Sequence, residues 1–286
     1  MQIVNYFPKK IGQAIQNKLN SMNENSLEEI RIRVNRPVML KWNQTEEVLE
    51  EIVTTEDILE IMQKITENSV YSYQKQICEG YITLRGGHRV GISGNVAVEN
   101  HQVINMNYVY SLNFRIAREV LGAASKILSA VYHDNTVSNT LIVSPPGAGK
   151  TTILRDLIRE LSRYLTVGVV DERGEITAMY KNEPQNNMGL RVDILNNIEK
   201  PLGIKMLVRS MAPDVVCADE IGTKADVEAI QYAVASGVKG IFTAHGDSIE
   251  NIKQNPILRE LLASHLIEQV ILLDKYNRDN ISIVRI

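Results

Sequence analysis

The chain is 286 residues long and 44% apolar, which is enough for two ordinary domains with real cores. Its 31 basic residues are nearly balanced by 34 acidic ones, so no global field draws it to nucleic acid or to an anionic membrane. Two cysteines, Cys78 and Cys217, stand far apart with no disulfide or metal-ligand spacing, as suits a reducing cytosol.

The N-terminal run MQIVNYFPKKIGQAIQNKL lacks the apolar core of a signal peptide, and no later stretch approaches the length needed to span a bilayer. The chain is expected to be soluble and cytoplasmic, without direct membrane insertion, and to reach a membrane only through partners. Ile11, Ile15 and Leu19 predict an amphipathic helix over Pro8 to Asn20, and the alternation in Glu29 to Val34 predicts a half-buried strand. Thr54-Thr55-Glu56-Asp57 offers a capped start to a helix through Ile58, Ile61, Met62 and Ile65. From Tyr81 the pattern changes to short strands, with Gly86-Gly87 as a hairpin turn, and a small α+β domain is expected over 1–118.

A helix is expected from Gly122 to Tyr132. Strands follow at Thr140 to Val143, Thr166 to Val170, Asp214 to Ala218, Lys239 to Thr243 and Ile267 to Leu273, mostly separated by helical patterns. That alternation predicts an α/β domain over 119–286 with a mainly parallel sheet covered on both faces. The polar stretch from Asp171 to about Ile198 reads as a long functional or mobile loop.

Four segments carry chemistry. In TLIVSPPGAGKTTILRDLIREL a buried strand enters Ser144-Pro145-Pro146-Gly147-Ala148-Gly149-Lys150-Thr151-Thr152 and a helix follows. Such a loop binds ATP: its amides and the helix N-terminus face the phosphates, Lys150 adds a point charge, and the Thr151 hydroxyl can ligate Mg²⁺. Ser144 stands where the opening glycine is usual. In MAPDVVCADEIG the strand Val215 to Ala218 delivers Asp219, a candidate for the Mg²⁺ shell through water, and Glu220, a candidate to polarise the attacking water. KGIFTAHGDS ends a strand in Thr243 and His245; a lone histidine is more often a packing or surface residue, but here it can sense a terminal phosphate. After the strand in TVGVVDERGEI come Asp171, Glu172 and Arg173. Glu172 is either a second polarising carboxylate or simply the start of the loop. Phosphoryl transfer also needs positive charge beyond Lys150, for which Arg115, Arg118 and Arg209 are candidates, with surface ion pairing as the alternative.

These segments resemble, in order, the Walker A, aspartate, Walker B and histidine boxes of the secretion and pilus ATPases. More closely, IRIRVNRPV, LRGGHRVGISG, NFRIARE, VDERGEI, LRVDIL and MAPDVVCADEIGTKAD resemble the stage III sporulation protein AA family over most of the chain. The resemblance implies a RecA-like P-loop ATPase domain behind a smaller N-terminal domain. It implies a homo-oligomeric ring, a hexamer, on the cytosolic side of a secretion-like channel between mother cell and forespore, built from membrane subunits of the same operon. Lys150, Thr151, Asp219 and Glu220 match the family's nucleotide site, Glu172 its aspartate box, His245 its histidine box, and Arg209 the arginine before the Walker B strand. Ser144 and the stretch Arg173 to Asn197 depart from the secretion enzymes. Two other readings compete: a nucleic-acid-translocating motor, which the charge balance and the lack of an aromatic-plus-basic stripe disfavour, and a nucleotide-gated scaffold with little turnover.

Overall fold

The computed structural model describes residues 2–22, 26–42, 45–275, 277 and 280–286. The chain divides into two compact units, Met1–Arg118 and Glu119–Ile286.

The first unit is an antiparallel sheet with helices packed on it. Its strands are β1 Leu27–Arg33, β2 Pro37–Trp42, β3 Thr45–Ile52, β4 Tyr81–Thr83, β5 Arg89–Glu99 and β6 Gln102–Arg115, in the spatial order β3-β2-β1-β6-β5-β4. Ile30 and Ile32 of β1 and Val38 and Leu40 of β2 alternate inward and meet Ile11, Ile15 and Leu19 of α1 (Lys9–Ser21) in one core. Helix α2 (Thr55–Ile65) adds Ile58, Ile61, Met62 and Ile65 from one face. Thr54 caps it in a capping box with Asp57. A short α3 (Gln74–Cys78) completes the layer. The hairpin between β5 and β6 turns at Asn100 and His101, both with positive φ, as a tight hairpin turn requires. Strands β2 and β3 were not expected from the sequence pattern.

The second unit opens with the largest departure from expectation. Gly122 to Tyr132 is a series of turns ending in a single helical turn, α4 Leu128–Val131, and a two-strand ribbon, β7 Tyr132–His133 with β8 Thr136–Val137. Gly122 has φ 80°, and Ser125 and Ile127 donate to carbonyls three residues back. The helical spacing of Ala124, Ile127 and Val131 is nonetheless physical, since all three are buried in one layer. Asp156 fixes the arrangement by accepting the Ala124 N–H at 2.8 Å and the Arg159 guanidinium at 2.6 Å.

A seven-stranded sheet follows: β9 Thr140–Ser144, β10 Val167–Asp171, β11 Val192–Asn196, β12 Val215–Ala218, β13 Lys239–His245, β14 Gln269–Leu273 and β15 Ile281–Arg285. The order is β11-β10-β12-β13-β9-β14-β15, parallel throughout except for β15, which pairs antiparallel with β14. Between them run α5 Lys150–Leu161, α6 Lys200–Ser210, α7 Lys224–Ala235, α8 Ile249–Gln254 and α9 Pro256–Ala263. Each central strand divides its side chains by parity between two cores. Leu141, Val143, Val216, Phe242 and Val270 face the layer of α6, α7 and α9, while Ile142, Val215, Cys217, Ile241 and Ile271 face α5. Complete burial pushes the Cys217 thiol up, away from reactive thiolate chemistry. Edge strands β11 and β15 were not expected; β11 lies inside the stretch read as one long loop. No helix among the described residues is long and apolar enough to cross a membrane.

Asp156 lends itself to a stability test. Burial favours its neutral form, but the donors at Ala124 and Arg159 outweigh that and hold its carboxyl below the ordinary aspartate value. With the folded value depressed, its stabilisation is complete above the unfolded-state value and is lost as pH falls through the folded one. Asp156→Ala should cost about 2–3 kcal/mol in urea unfolding at neutral pH. The gap to the parent should shrink in acid; a constant gap would refute the assignment.

Candidate functional site

Strand β9 is buried along its whole length and releases the chain at Ser144 into Pro145, Pro146, Gly147, Ala148 and Gly149 before α5 begins at Lys150. Gly147 and Gly149 have φ 80° and 97°, left-handed values that a side chain would strain. A Cβ at either would meet nothing within 4 Å, so conformation rather than space demands glycine there. Ser144 is buried, its Oγ donates to the Pro145 carbonyl at 2.8 Å, and its φ is not positive. A side chain therefore fits at this departure from the usual glycine. No side chain caps the start of α5, so its first amides are available to an anion.

The strand order sets the rest. β9, β13, β12 and β10 are consecutive neighbours, so their C-terminal ends deliver Ser144, His245, Asp219 with Glu220, and Asp171 with Glu172 to one edge of the sheet. Lys150, only 7% exposed, places Nζ 3.2 Å from His245 Nδ1. An ammonium has no acceptor, so Nδ1 accepts and the ring hydrogen sits on Nε2, which lies 2.9 Å from Glu220 Oε1. Burial lowers the Lys150 pKa, while Asp219, Glu220 and Glu175 oppose that shift. The other Glu220 oxygen, Oε2, accepts from Arg173 Nη1 at 2.6 Å.

Asp219 ties the edge together. Its Oδ2 accepts from Thr151 Oγ1 at 2.7 Å, and its Oδ1 from the Thr243 hydroxyl and from the Glu220 N–H at 3.0 Å. Glu220 sits at φ 55°, a left-handed backbone costing about 1 kcal/mol or more for a residue with a Cβ. Its N–H is also held by Thr243 Oγ1 at 2.9 Å. Thr243 thus serves in the structure as a clamp on both acids. Thr151 and Asp219 offer adjacent hard oxygens. Such oxygens suit Mg²⁺, which takes one or two protein ligands beside waters and substrate oxygens.

The loop after β10 is anchored from within. Buried Asp171 accepts the N–H groups of Glu175 at 2.9 Å and Thr177 at 2.8 Å, and the Thr177 hydroxyl. Arg155 reaches across to the carbonyls of Ile176 and Glu175. Glu172 is paired with Lys200 at the start of α6, and Gly203 allows that helix close to β10, because a Cβ there would meet Val170 Cγ1 at 2.6 Å. A crevice of about 20 Å³, room for a water-sized particle, is lined by Glu172, Arg173, Lys200, Asp219 and Glu220 among others. The structure therefore gathers Lys150, Thr151, Glu172, Asp219, Glu220 and His245.

Arg209 lies near the far end of α6, roughly 13 Å along the helix from Lys200, where its Nε donates to the Tyr232 hydroxyl at 3.2 Å. Arg115 ends β6, and Arg118 donates to the Leu27 carbonyl; both belong to the first unit. Sequence reasoning missed three features: the Lys200 partner of Glu172, the Arg173 partner of Glu220, and a cleft of about 400 Å³ beside Gly147, Gly149 and Thr152. That cleft is walled by Val120, Lys126, Leu273 and Ile281 and has the size of a small-molecule site. None of its wall residues forms a motif with the loop.

A loop of this geometry on a parallel sheet, with paired acids on the next strand but one, defines an α/β P-loop protein of the secretion-ATPase fold. The chain matches the ATPase DotB of Yersinia pseudotuberculosis with a TM-score of 0.62, over 93% of this chain and 75% of that one at 14% identity. It matches the pilus retraction motor PilT, solved with bound ADP, with a TM-score of 0.60, over 90% of this chain and 77% of that one at 14% identity. At such identities the likeness is one of fold. Sequence goes further: the chain belongs to the family described as Sporulation stage III, protein AA, whose model matches residues 1–283. Stage III sporulation protein AA of Bacillus subtilis (strain 168) is 39% identical over 267 residues, which is 90% of this chain and 87% of that protein.

The clamp on Glu220 can be tested directly. Thr243→Val keeps the shape but removes one acceptor for the Glu220 N–H and a donor to Asp219, inside a buried site. It should lower stability by about 1–3 kcal/mol with far-UV circular dichroism unchanged. Unaltered unfolding would show that the left-handed Glu220 needs no such support.

Proposed function

We propose that this chain is a Mg-dependent ATPase that acts as a motor in sporulation. Lys150 and the amides of the loop Ser144 to Thr152 bind the phosphates, the Lys150 charge standing at the β/γ side. Thr151 and Asp219 hold Mg²⁺, which when bound offsets the charge of the phosphate oxygens. Glu220 accepts a proton from the attacking water, and His245, hydrogen-bonded to both Lys150 and Glu220, keeps the two in register. The cleft beside Gly147 and Thr152 receives the base and sugar. The observation that carries the reading is the placement of Glu220 beside a water-sized crevice on the same sheet edge as Lys150 and the Thr151–Asp219 pair.

The second unit acts as a RecA-like domain and the first as a separate N-terminal domain. The chain assembles as a ring, a hexamer, at the cytosolic face of a membrane channel in the mother cell, peripheral to the membrane through channel subunits of its operon. Family membership and the shared fold with secretion and pilus motors support this role. Arg115, Arg118 and Arg209 supply positive charge from outside the P-loop to complete the site, and Glu172 is a secondary carboxylate. A scaffold with slow turnover is the second reading, favoured by the double pairing of Glu220.

Two variants test the proposal. Lys150→Ala should abolish binding of a fluorescent ATP derivative, since a phosphate contact and most of the local positive charge vanish together. Glu220→Gln should retain Mg-ATP binding, lower phosphate release by about a hundred-fold or more, and accumulate as a ring in light scattering with ATP present. Undiminished turnover would move the catalytic role to Glu172. A strictly monomeric mass would remove the ring.

A further inference from the structure

Two surfaces remain without a role, one on each unit. The first is a cleft of about 440 Å³ between α8, α9 and β15. Leu262, Val284 and Ile286 give it an apolar lining, and Lys253, Arg259 and Arg285 stand around it. All three cations are exposed, and among the described residues none of them is ion-paired and no acidic side chain lines the cleft. Three like charges without counter-ions, set around apolar side chains, suit an acidic segment that also brings apolar side chains.

The second surface is such a segment. Strand β3 lies at the edge of the first sheet and carries four glutamates and no base. Its side chains alternate: Glu47 turns to Lys18 and Leu49 to the core, while Glu46, Val48, Glu50 and Ile52 face outward. Val48 and Ile52 are 55% and 53% exposed, and the outer edge of β3 pairs with no strand among the described residues. Lys41, opposite Glu46 on β2, is drawn instead to Glu28 at 3.9 Å. The outward row therefore reads acid, apolar, acid, apolar, the complement of the cleft in both charge and hydrophobicity.

We propose that the outward face of β3 of one copy docks in the α8–α9–β15 cleft of the next copy. Glu46 and Glu50 meet the cations of the cleft, and Val48 and Ile52 meet its apolar lining. Because the two surfaces differ, the contact is heterologous: each copy offers β3 to one neighbour and its cleft to the other, and such contacts build a ring when the rotation closes. Two clefts face to face, or two β3 strands, would set like charges opposite one another, which disfavours a two-fold pair. The inference rests on the ring reading given above and assigns the surfaces that form it.

The test follows mass by light scattering over a range of concentrations with Mg-ATP present. It compares the full chain, a cleft variant Arg259→Glu/Arg285→Glu, a strand variant Glu46→Lys/Glu50→Lys, their equimolar mixture, and the chain carrying all four changes. The four positions are exposed, so far-UV circular dichroism and melting temperature should stay parental. Each variant alone sets like charge against like charge and should raise the concentration needed for assembly by about ten-fold or more. The mixture should regain assembly, because every contact in an alternating array then joins opposite charges, and so should the chain with all four changes. Parental assembly by either variant alone, or losses that the mixture does not repair, would overturn the docking. A parent chain that keeps the mass of a single copy throughout would instead refute the ring reading, and this inference with it.

Discussion

The carboxylate of Asp219 is the joint on which the site depends. Thr151 belongs to the first turn of the P-loop helix, Thr243 to β13, and the Glu220 N–H to the turn leaving β12, and all three donate to this one side chain. Parallel strands bring their C-terminal ends together but do not set the loops that leave them. A single acceptor shared by three elements does. It orients the Thr151 hydroxyl, holds Thr243, and allows Glu220 a left-handed backbone that an isolated turn would resist.

The electrostatics follow the same geometry. The crevice is lined by Asp171, Glu172, Glu175, Asp219 and Glu220 against Arg173 and Lys200, so acids outnumber bases there. The excess is distributed rather than tolerated. Asp171 is consumed by the amides of its own loop, Glu172 by Lys200, and Glu220 by Arg173 and His245. Burial lowers the Lys150 pKa, and Asp219, Glu220 and Glu175 oppose that shift. A bound triphosphate brings several more negative charges, and only the groups with exposed or shared donors can respond to it. Lys150, the loop amides and Lys126 at the neighbouring cleft are among them.

Much of this was readable from sequence because it is local. The order strand, glycine loop, helix specifies the P-loop, and Asp219-Glu220 after Val215 to Ala218 specifies a strand end. The Thr54 cap was legible for the same reason. What was hidden depends on the strand order. Arg173 and Glu220 are 47 residues apart and meet only because β10 and β12 are neighbours. The Lys200 partner of Glu172 and the edge strand β11 have the same origin. The misread at Gly122 to Tyr132 is of a different kind: Ala124, Ile127 and Val131 have helical spacing and are buried, but a left-handed Gly122 and the pull of Asp156 on the Ala124 amide favour turns over a helix. Periodicity reports which residues are covered, not which hydrogen bonds the backbone makes.

A water-polarising carboxylate faces conflicting demands. Left unpaired near a phosphate site it repels the substrate, and strongly paired it loses its reach toward water. Burying Glu220 behind a fixed cation would satisfy the first demand and defeat the second. The structure instead pairs it with one donor held by Lys150 and one carried on an exposed arginine of an anchored loop. Asp219 and Thr243 hold the Glu220 backbone while Asp171 and Arg155 anchor the loop that carries Arg173, so the pairing of this carboxylate is set by residues leaving three neighbouring strands.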